Sequence, residues 1–225
     1  MVRKLLLVSI FFGLLLTAYG QMRLSATPVP PTEPPDVARL AAVWAEEKSL
    51  GYNGDAQALG MAAFQIAART HLPEWAGEAL RQSEIALEKN AQSPLVLAYL
   101  GATHAIVARD FPVAPALQVF LGPGFVRLYH VWRSLIYLDA AVASAPLDPV
   151  VRLVRASTML GLPKLFGQHD KGLADLRLIQ SWMAHPQDAY AGMLADASFQ
   201  REVLAVAVLA LPEKDKTPSE PPRKP

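Results

Sequence analysis

The chain has 225 residues, of which 52% are hydrophobic and 18% charged, so it can bury a sizeable core and is not a disordered polymer. Its 21 basic and 20 acidic residues give a net charge of +1, which argues against a nucleic-acid-binding protein with a basic face. The absence of cysteine excludes disulfides, thiolate metal sites, cysteine nucleophiles and a lipobox-type lipoprotein anchor.

The N-terminus has the pattern of an export signal. Two basic residues precede an apolar run over 5–16, and Ala18 and Gly20 place small side chains three and one residues before a cut ahead of Gln21. The alternative is an uncleaved inner-membrane anchor over 5–19, although about 15 apolar residues fall short of the roughly 20 that a spanning helix needs. Either way we expect the rest of the chain outside the cytoplasm, in the periplasm or secreted.

Proline marks both ends of the predicted folded region, because ten of the 19 prolines lie in 27–36 and 212–225. The first of these segments is either an extended spacer that holds the domain away from a membrane or a plain unstructured terminus. The second is charged and polar, which is typical of a disordered tail. We therefore predict a signal peptide over 1–20, a Pro-rich linker over 21–36, one helical-repeat domain over 37–211 and a disordered tail over 212–225.

The predicted domain is all-α, because apolar residues recur at helical spacing between Pro, Gly or Asp and no useful strand-like alternation occurs. Ser93 and Asp148 each precede a proline, which places a capping side chain ahead of a proline at the first helical position. Gly51 and Gly161 are predicted helix stops. The predicted helices span 37–50, 55–69, 74–89, 94–109, 125–145, 149–160, 170–183 and one or two segments within 188–211.

The helix over 125–145 carries the clearest amphipathic pattern. Its apolar stripe is about 120° wide and is expected to face the core; it comprises Phe125, Leu128, Tyr129, Trp132, Leu135 and Ile136. The opposite side carries Arg127, His130 and Ser134. Asp139 falls on the apolar side, so we expect a buried carboxylate that needs a partner, and Arg152 or Arg155 on the next helix could reach it. An acidic catalytic group is the alternative.

The helix pairs resemble a tetratricopeptide array at two junctions. Ala141 precedes Pro146 by five residues, as a small residue does in that family, and Leu100-Gly101 stands at the family's Leu-Gly positions. The resemblance covers at most 74–183, and 94–175 also looks similar to uncharacterised exported bacterial proteins. It implies antiparallel helix pairs stacked as a short right-handed array. Such arrays bind partners on their concave face.

Arginines on neighbouring helices supply one set of candidate interaction residues. Arg152 and Arg155 share a helix face, and Arg127 and Arg133 project from the preceding helix. They could form a carboxylate-binding lining. The alternatives are solvated arginines or a partner for Asp139.

The segment 111–124 supplies the other set, because a 14-residue loop this apolar is not expected to lie free in water. It is expected to pack on the array or cover it as a lid, or else to dock a protein or membrane. Its candidate residues are Phe111, Leu117, Phe120 and Leu121.

The sequence contains no catalytic, phosphate-binding or calcium-binding motif, and the five histidines are spread singly. We therefore expect no enzyme, no cofactor and no metal site. The leading hypothesis is an exported interaction or assembly module with a protein partner in the cell envelope. Two alternatives are a helical small-molecule or lipid-binding module with 111–124 as its lid, and an envelope enzyme built from isolated polar residues such as Asp139, Arg152 and His130.

Overall fold

A computed structural model describes residues 35–49, 55–111, 122–186 and 189–211, and all the regular structure in these ranges is helical. The predicted signal peptide, the tail, residues 21–34 of the linker and most of the apolar segment 111–124 lie outside them. The described helices are α1 (Pro35–Ser49), α2 (Ala56–Thr70), α3 (Pro73–Lys89), α4 (Pro94–Asp110), α5 (Gly122–Ser144), α6 (Pro149–Gly161), α7 (His169–Ala184), α8 (Ala191–Ala195) and α9 (Ala197–Leu209).

The helix predictions are confirmed, with every predicted end from 37–50 to 170–183 within about three residues of the observed one. The last predicted segment contains two helices, α8 and α9. The chain is helical from Pro35, two residues before the predicted domain boundary. Among the predicted helix stops, Gly161 ends α6 and Gly51 lies outside the described residues.

Both predicted N-caps are present. The Ser93 hydroxyl accepts a hydrogen bond from the Val96 N–H at 3.4 Å. The Asp148 carboxylate accepts from the Val150 and Val151 N–H groups at 2.8 and 3.2 Å. These side chains satisfy backbone donors that the first helical turn leaves without an intrahelical partner, which fixes where α4 and α6 begin.

Sequential helices pack in pairs: α2 with α3, α4 with α5, and α6 with α7. Each pair has a glycine where the two helices approach closely. At Gly101, an added Cβ would lie 2.8 Å from the Leu138 Cγ and 3.0 Å from the Ser134 carbonyl oxygen. A Cβ on Gly60 or Gly172 would be similarly tight against the paired helix. The missing side chain therefore lets the helices of a pair pack closely.

The C-terminal helices close the fold around a shared core. Side chains from α6 to α9 form one apolar cluster of buried residues: Leu153, Ala156, Leu160, Leu176, Ile179, Trp182, Leu194, Phe199, Val203 and Val206. A second cluster joins α4, α5 and α6 around Leu97, Ala141 and Val151. Within the described ranges, no helix combines the length and apolarity needed to cross a bilayer.

Candidate interaction site

The apolar stripe of α5 that was predicted to face the core is exposed instead. Trp132 is 57% exposed, Phe125 and Tyr129 are each 51% exposed, and Ile136 is 40% exposed. Leu128 and Leu135 lie at the edge of the stripe and are half-buried. The buried face of α5 instead comprises Val131, Ser134, Leu138, Ala141 and Val142. The prediction that the aromatic stripe faces the core is therefore wrong.

The close crossing of α4 and α5 explains which face is buried. Gly101 leaves room for the α5 backbone at Ser134 and for the side chain of Leu138. Ala141 lies further along the same face and is fully buried. A row of Phe, Tyr and Trp side chains on this face would hold the two helices apart, and the close packing would be lost. The aromatic residues consequently lie on the other side of the helix, where they meet solvent.

The exposed side chains form a regular line along the helix. Phe125, Tyr129, Trp132 and Ile136 follow one another at intervals of four, three and four residues, and Val126 is exposed beside them. We call these five residues the outer α5 face. A spacing that alternates four and three is that of the seam along which one helix packs on another.

Two histidines meet beside the outer α5 face. The Nδ1 atoms of His104 on α4 and His130 on α5 lie 2.8 Å apart. The His104 ring stacks on Tyr137 with centroids 5.6 Å apart and ring planes at 8°. The Arg133 guanidinium lies over the Tyr137 ring, 4.5 Å from the ring centroid, and donates a hydrogen bond to the Tyr137 hydroxyl. Because the histidines are 26 residues apart in sequence and on different helices, no local pattern could have joined them.

The histidine pair is uncharged at neutral pH. Burial, followed by the nearby His130 and Arg133, lowers the pKa of His104 from 6.5 to about 3, and burial also lowers the pKa of His130. A hydrogen between the two Nδ1 atoms makes one ring the donor and the other the acceptor. A histidine with a pKa of about 3, as His104 has, is a poor general acid or base near pH 7. Elsewhere too, the described residues bring together no three His, Asp or Glu side chains that could hold a metal ion.

The most deeply buried carboxylate among the described residues is Asp175 on α7. Its side chain is 1% exposed, and its two oxygens receive hydrogen bonds from Arg152 at 2.5 Å and from Arg155 at 2.6 Å. Burial alone would lower the pKa of Arg155, but the hydrogen bonds and charges of Asp175 and Asp139 outweigh it and raise that pKa. The sequence could have indicated a buried carboxylate here, because Asp175 lies on the same stripe of α7 as the buried Leu176.

The prediction that Arg152 or Arg155 pairs with Asp139 is confirmed for Arg155, but the prediction that Asp139 is buried is wrong. The two side chains are 3.0 Å apart, Lys171 lies 2.9 Å from the other Asp139 oxygen, and the Asp139 side chain is 45% exposed. Asp139 therefore links α5 to α6 and α7 in a network centred on Asp175. It does not lie alone in the core.

The other candidate residues are placed as follows. Arg152 and Arg155 are engaged by carboxylates of the chain itself, so neither is free to line a carboxylate-binding groove. Arg127 donates to the Phe111 carbonyl oxygen at 2.9 Å and ties the end of α4 to α5. The remaining candidates, Leu117, Phe120 and Leu121, lie outside the described residues.

A cleft of about 400 Å³ lies between α1 and α2. Its lining is mostly apolar and includes Leu40 and Met61, with Gln65 beside them. Asp55 also lines it, but its carboxylate accepts the Gln57 N–H at 2.9 Å and caps α2. With Asp55 engaged as a cap, the remaining polar side chains of the lining are the amides of Gln57 and Gln65, and neither supplies a charge to fix a small-molecule ligand.

The chain matches no protein-family model, no curated protein and no solved structure.

Proposed function

We propose that this chain is an exported interaction module of the cell envelope that binds a helix of a partner polypeptide along the outer α5 face. The observation that supports the proposal is the exposure of three aromatic side chains, Phe125, Tyr129 and Trp132, on one side of α5. Aromatic side chains dominate the energetics of protein interfaces. A contiguous apolar patch of this kind is typical of an interaction surface.

The spacing of the patch favours a helical partner. Side chains at 125, 129, 132 and 136 make a straight seam on which a second helix can place its own apolar side chains. The five residues of the face are uncharged. Beside them, Arg133 lies over the Tyr137 ring, and Asp139 is paired with Arg155 and Lys171. Apolar complementarity, and not charge, would then provide most of the affinity.

Two further parts of the proposal come from the sequence. The predicted export signal over 1–20 favours a domain in the periplasm, or at the inner membrane if residues 5–19 stay attached. The helix pairs that begin at Pro94 and Pro149 favour a divergent tetratricopeptide-like array. The binding face proposed for α5 does not depend on that resemblance.

Site-specific photo-cross-linking in cells tests the proposed function. A benzophenone amino acid replaces Trp132 on the outer α5 face or, as the matched control, Leu204 on α9, which is 64% exposed and lies on a different helix. We expect a discrete protein adduct from position 132 and none from position 204. Adducts with lipid alone, the same adducts at both positions, or no adduct at 132 would contradict the proposal.

A further inference from the structure

We infer that the partner helix is α5 of a second copy of this chain, packed antiparallel across a two-fold axis near residues 129–132. The inference rests on the proposed function and names its partner. It is carried by the order of side chains along the outer α5 face and by the area that this face exposes.

The outer α5 face is self-complementary when the helix is reversed. Its central residues are Tyr129 and Trp132, and its ends are Phe125 and Ile136. A second α5 in the opposite direction places Tyr129 beside Trp132 of the other copy, and Phe125 beside Ile136 of the other copy. Each large side chain then meets a large side chain, and the two central aromatic rings can adopt an offset or edge-to-face contact. An isologous interface requires this kind of reciprocal match.

The charges on α5 are compatible with the antiparallel arrangement. From its start to Leu138 the helix has no carboxylate, and Arg133 borders the outer face on one flank. In the antiparallel arrangement the Arg133 side chains of the two copies lie on the same flank, but Leu128 of one copy is level with Arg133 of the other, so the two arginines are about 7.5 Å apart along the axis. The net charge of +1 adds little long-range repulsion between copies.

The exposed area is enough for a modest dimer. Three aromatic side chains that can each bury 150–250 Å² are about half exposed, which leaves on the order of 300 Å² of aromatic surface per copy. With Val126, Ile136 and the half-buried leucines at the edge, two copies approach the roughly 1,000 Å² expected of a specific interface. We therefore expect a dimer that dissociates on dilution.

Sedimentation of the chain purified from cells expressing the whole sequence measures this association, over about 1 to 100 μM. We expect a monomer–dimer equilibrium, with dimerisation weakened at least about tenfold by Trp132→Ser, because central aromatic contacts dominate an interface. Leu204→Ser, which changes a residue of comparable exposure on α9, is expected to leave the equilibrium unchanged. A monomer throughout, or equal effects of the two substitutions, would overturn the inference.

Cysteine cross-linking determines the direction of the helices, and the chain has no cysteine of its own to interfere. We expect a disulfide when Phe125→Cys and Ile136→Cys proteins are mixed, but not within either protein alone, because positions 125 and 136 are about 16 Å apart along α5. Disulfides within each protein alone would indicate parallel helices and contradict the antiparallel arrangement. A heterologous protein at position 132 in the photo-cross-linking experiment, with a monomer in solution, would overturn the second-copy inference and retain the proposed function. Absence of any protein adduct would overturn both.

Discussion

Asp175 and Asp139 bind the same arginine but are expected to contribute differently to the stability of the fold. Asp175 has almost no access to water and receives Arg152 and Arg155, whereas Asp139 is about half exposed. A buried ion is stable only while its partners are present, because water cannot replace them. An exposed ion pair is screened by solvent and contributes little.

We therefore expect Asp175→Asn to lower the free energy of unfolding by about 3–5 kcal/mol, because it keeps the size of the side chain but leaves Arg152 without its counter-ion and Arg155 with the more exposed Asp139 alone. The matched substitution Asp139→Asn should cost about 0–1 kcal/mol. Urea denaturation of the two variants and the parent chain measures both values. Equal losses would show that the network does not centre on Asp175.

His104 should make stability depend on pH in the acidic range. Its pKa is 6.5 in a solvated chain and about 3 in the fold, where burial, His130 and Arg133 disfavour the charged ring. Between these values the unfolded chain binds a proton that the folded chain does not bind. The free energy of unfolding therefore rises with pH in this window, and the stability that the neutral His104 contributes decreases as the pH falls from 6.5 toward 3.

His104→Gln tests this dependence, because glutamine can still hydrogen-bond to His130 but does not titrate. We expect the parent chain to lose stability more steeply than the variant below pH 6.5, with the difference in slope approaching about 1.4 kcal/mol per pH unit. Denaturation at a series of pH values supplies the two curves. Curves that run parallel from pH 7 to pH 4 would mean that His104 titrates normally in the fold.

At the scale of the element, Gly101 determines how closely α4 and α5 pack. We expect Gly101→Ala to destabilise the fold by about 1–3 kcal/mol, because the new Cβ would meet backbone atoms of Ser134 and Leu138 at 3.0 and 3.1 Å. Gly77→Ala on α3 is the matched control, since its Cβ would meet nothing within 4 Å. That control should stabilise the fold by up to about 1 kcal/mol through helix propensity alone. Thermal unfolding gives both signs, and a neutral or stabilising Gly101→Ala would argue against a tight crossing.

Helix α5 also shows what sequence patterns can and cannot predict. The ends of the neighbouring helices α4 and α6 follow from local signals, Ser93 and Asp148 before proline, so they were predictable. The face that α5 buries depends on Gly101, which lies in another helix. The aromatic stripe is the more hydrophobic face of α5, but it is not the face that packs against the core. Periodicity identifies an apolar face, but the shape of the neighbouring helix decides which face fits.

The same limit applied to the polar residues. Asp175 was recognisable, because a carboxylate on the buried stripe of α7 requires a partner. The contact between His104 and His130 was not recognisable, because it forms only when α4 and α5 come together.

At the scale of the whole molecule, the outer α5 face is consistent with the proposed export. An exposed aromatic patch is an aggregation hazard until it meets its partner. If the second-copy inference holds, that partner is delivered to the same compartment with every chain that is exported. A soluble partner of another kind would need its own route to the envelope.

Export itself predicts that the chain recovered from the periplasm begins at Gln21. The leader peptidase accepts small side chains three and one residues before the cut, which are Ala18 and Gly20, whereas the position between them tolerates the large Tyr19. We therefore expect Ala18→Tyr to leave the chain unprocessed and Tyr19→Ala to leave processing unchanged. N-terminal sequencing of the periplasmic and membrane fractions measures both. Recovery of Met1 in the parent chain from the cytoplasm would contradict export, whereas Met1 in the membrane fraction would favour the anchor over residues 5–19.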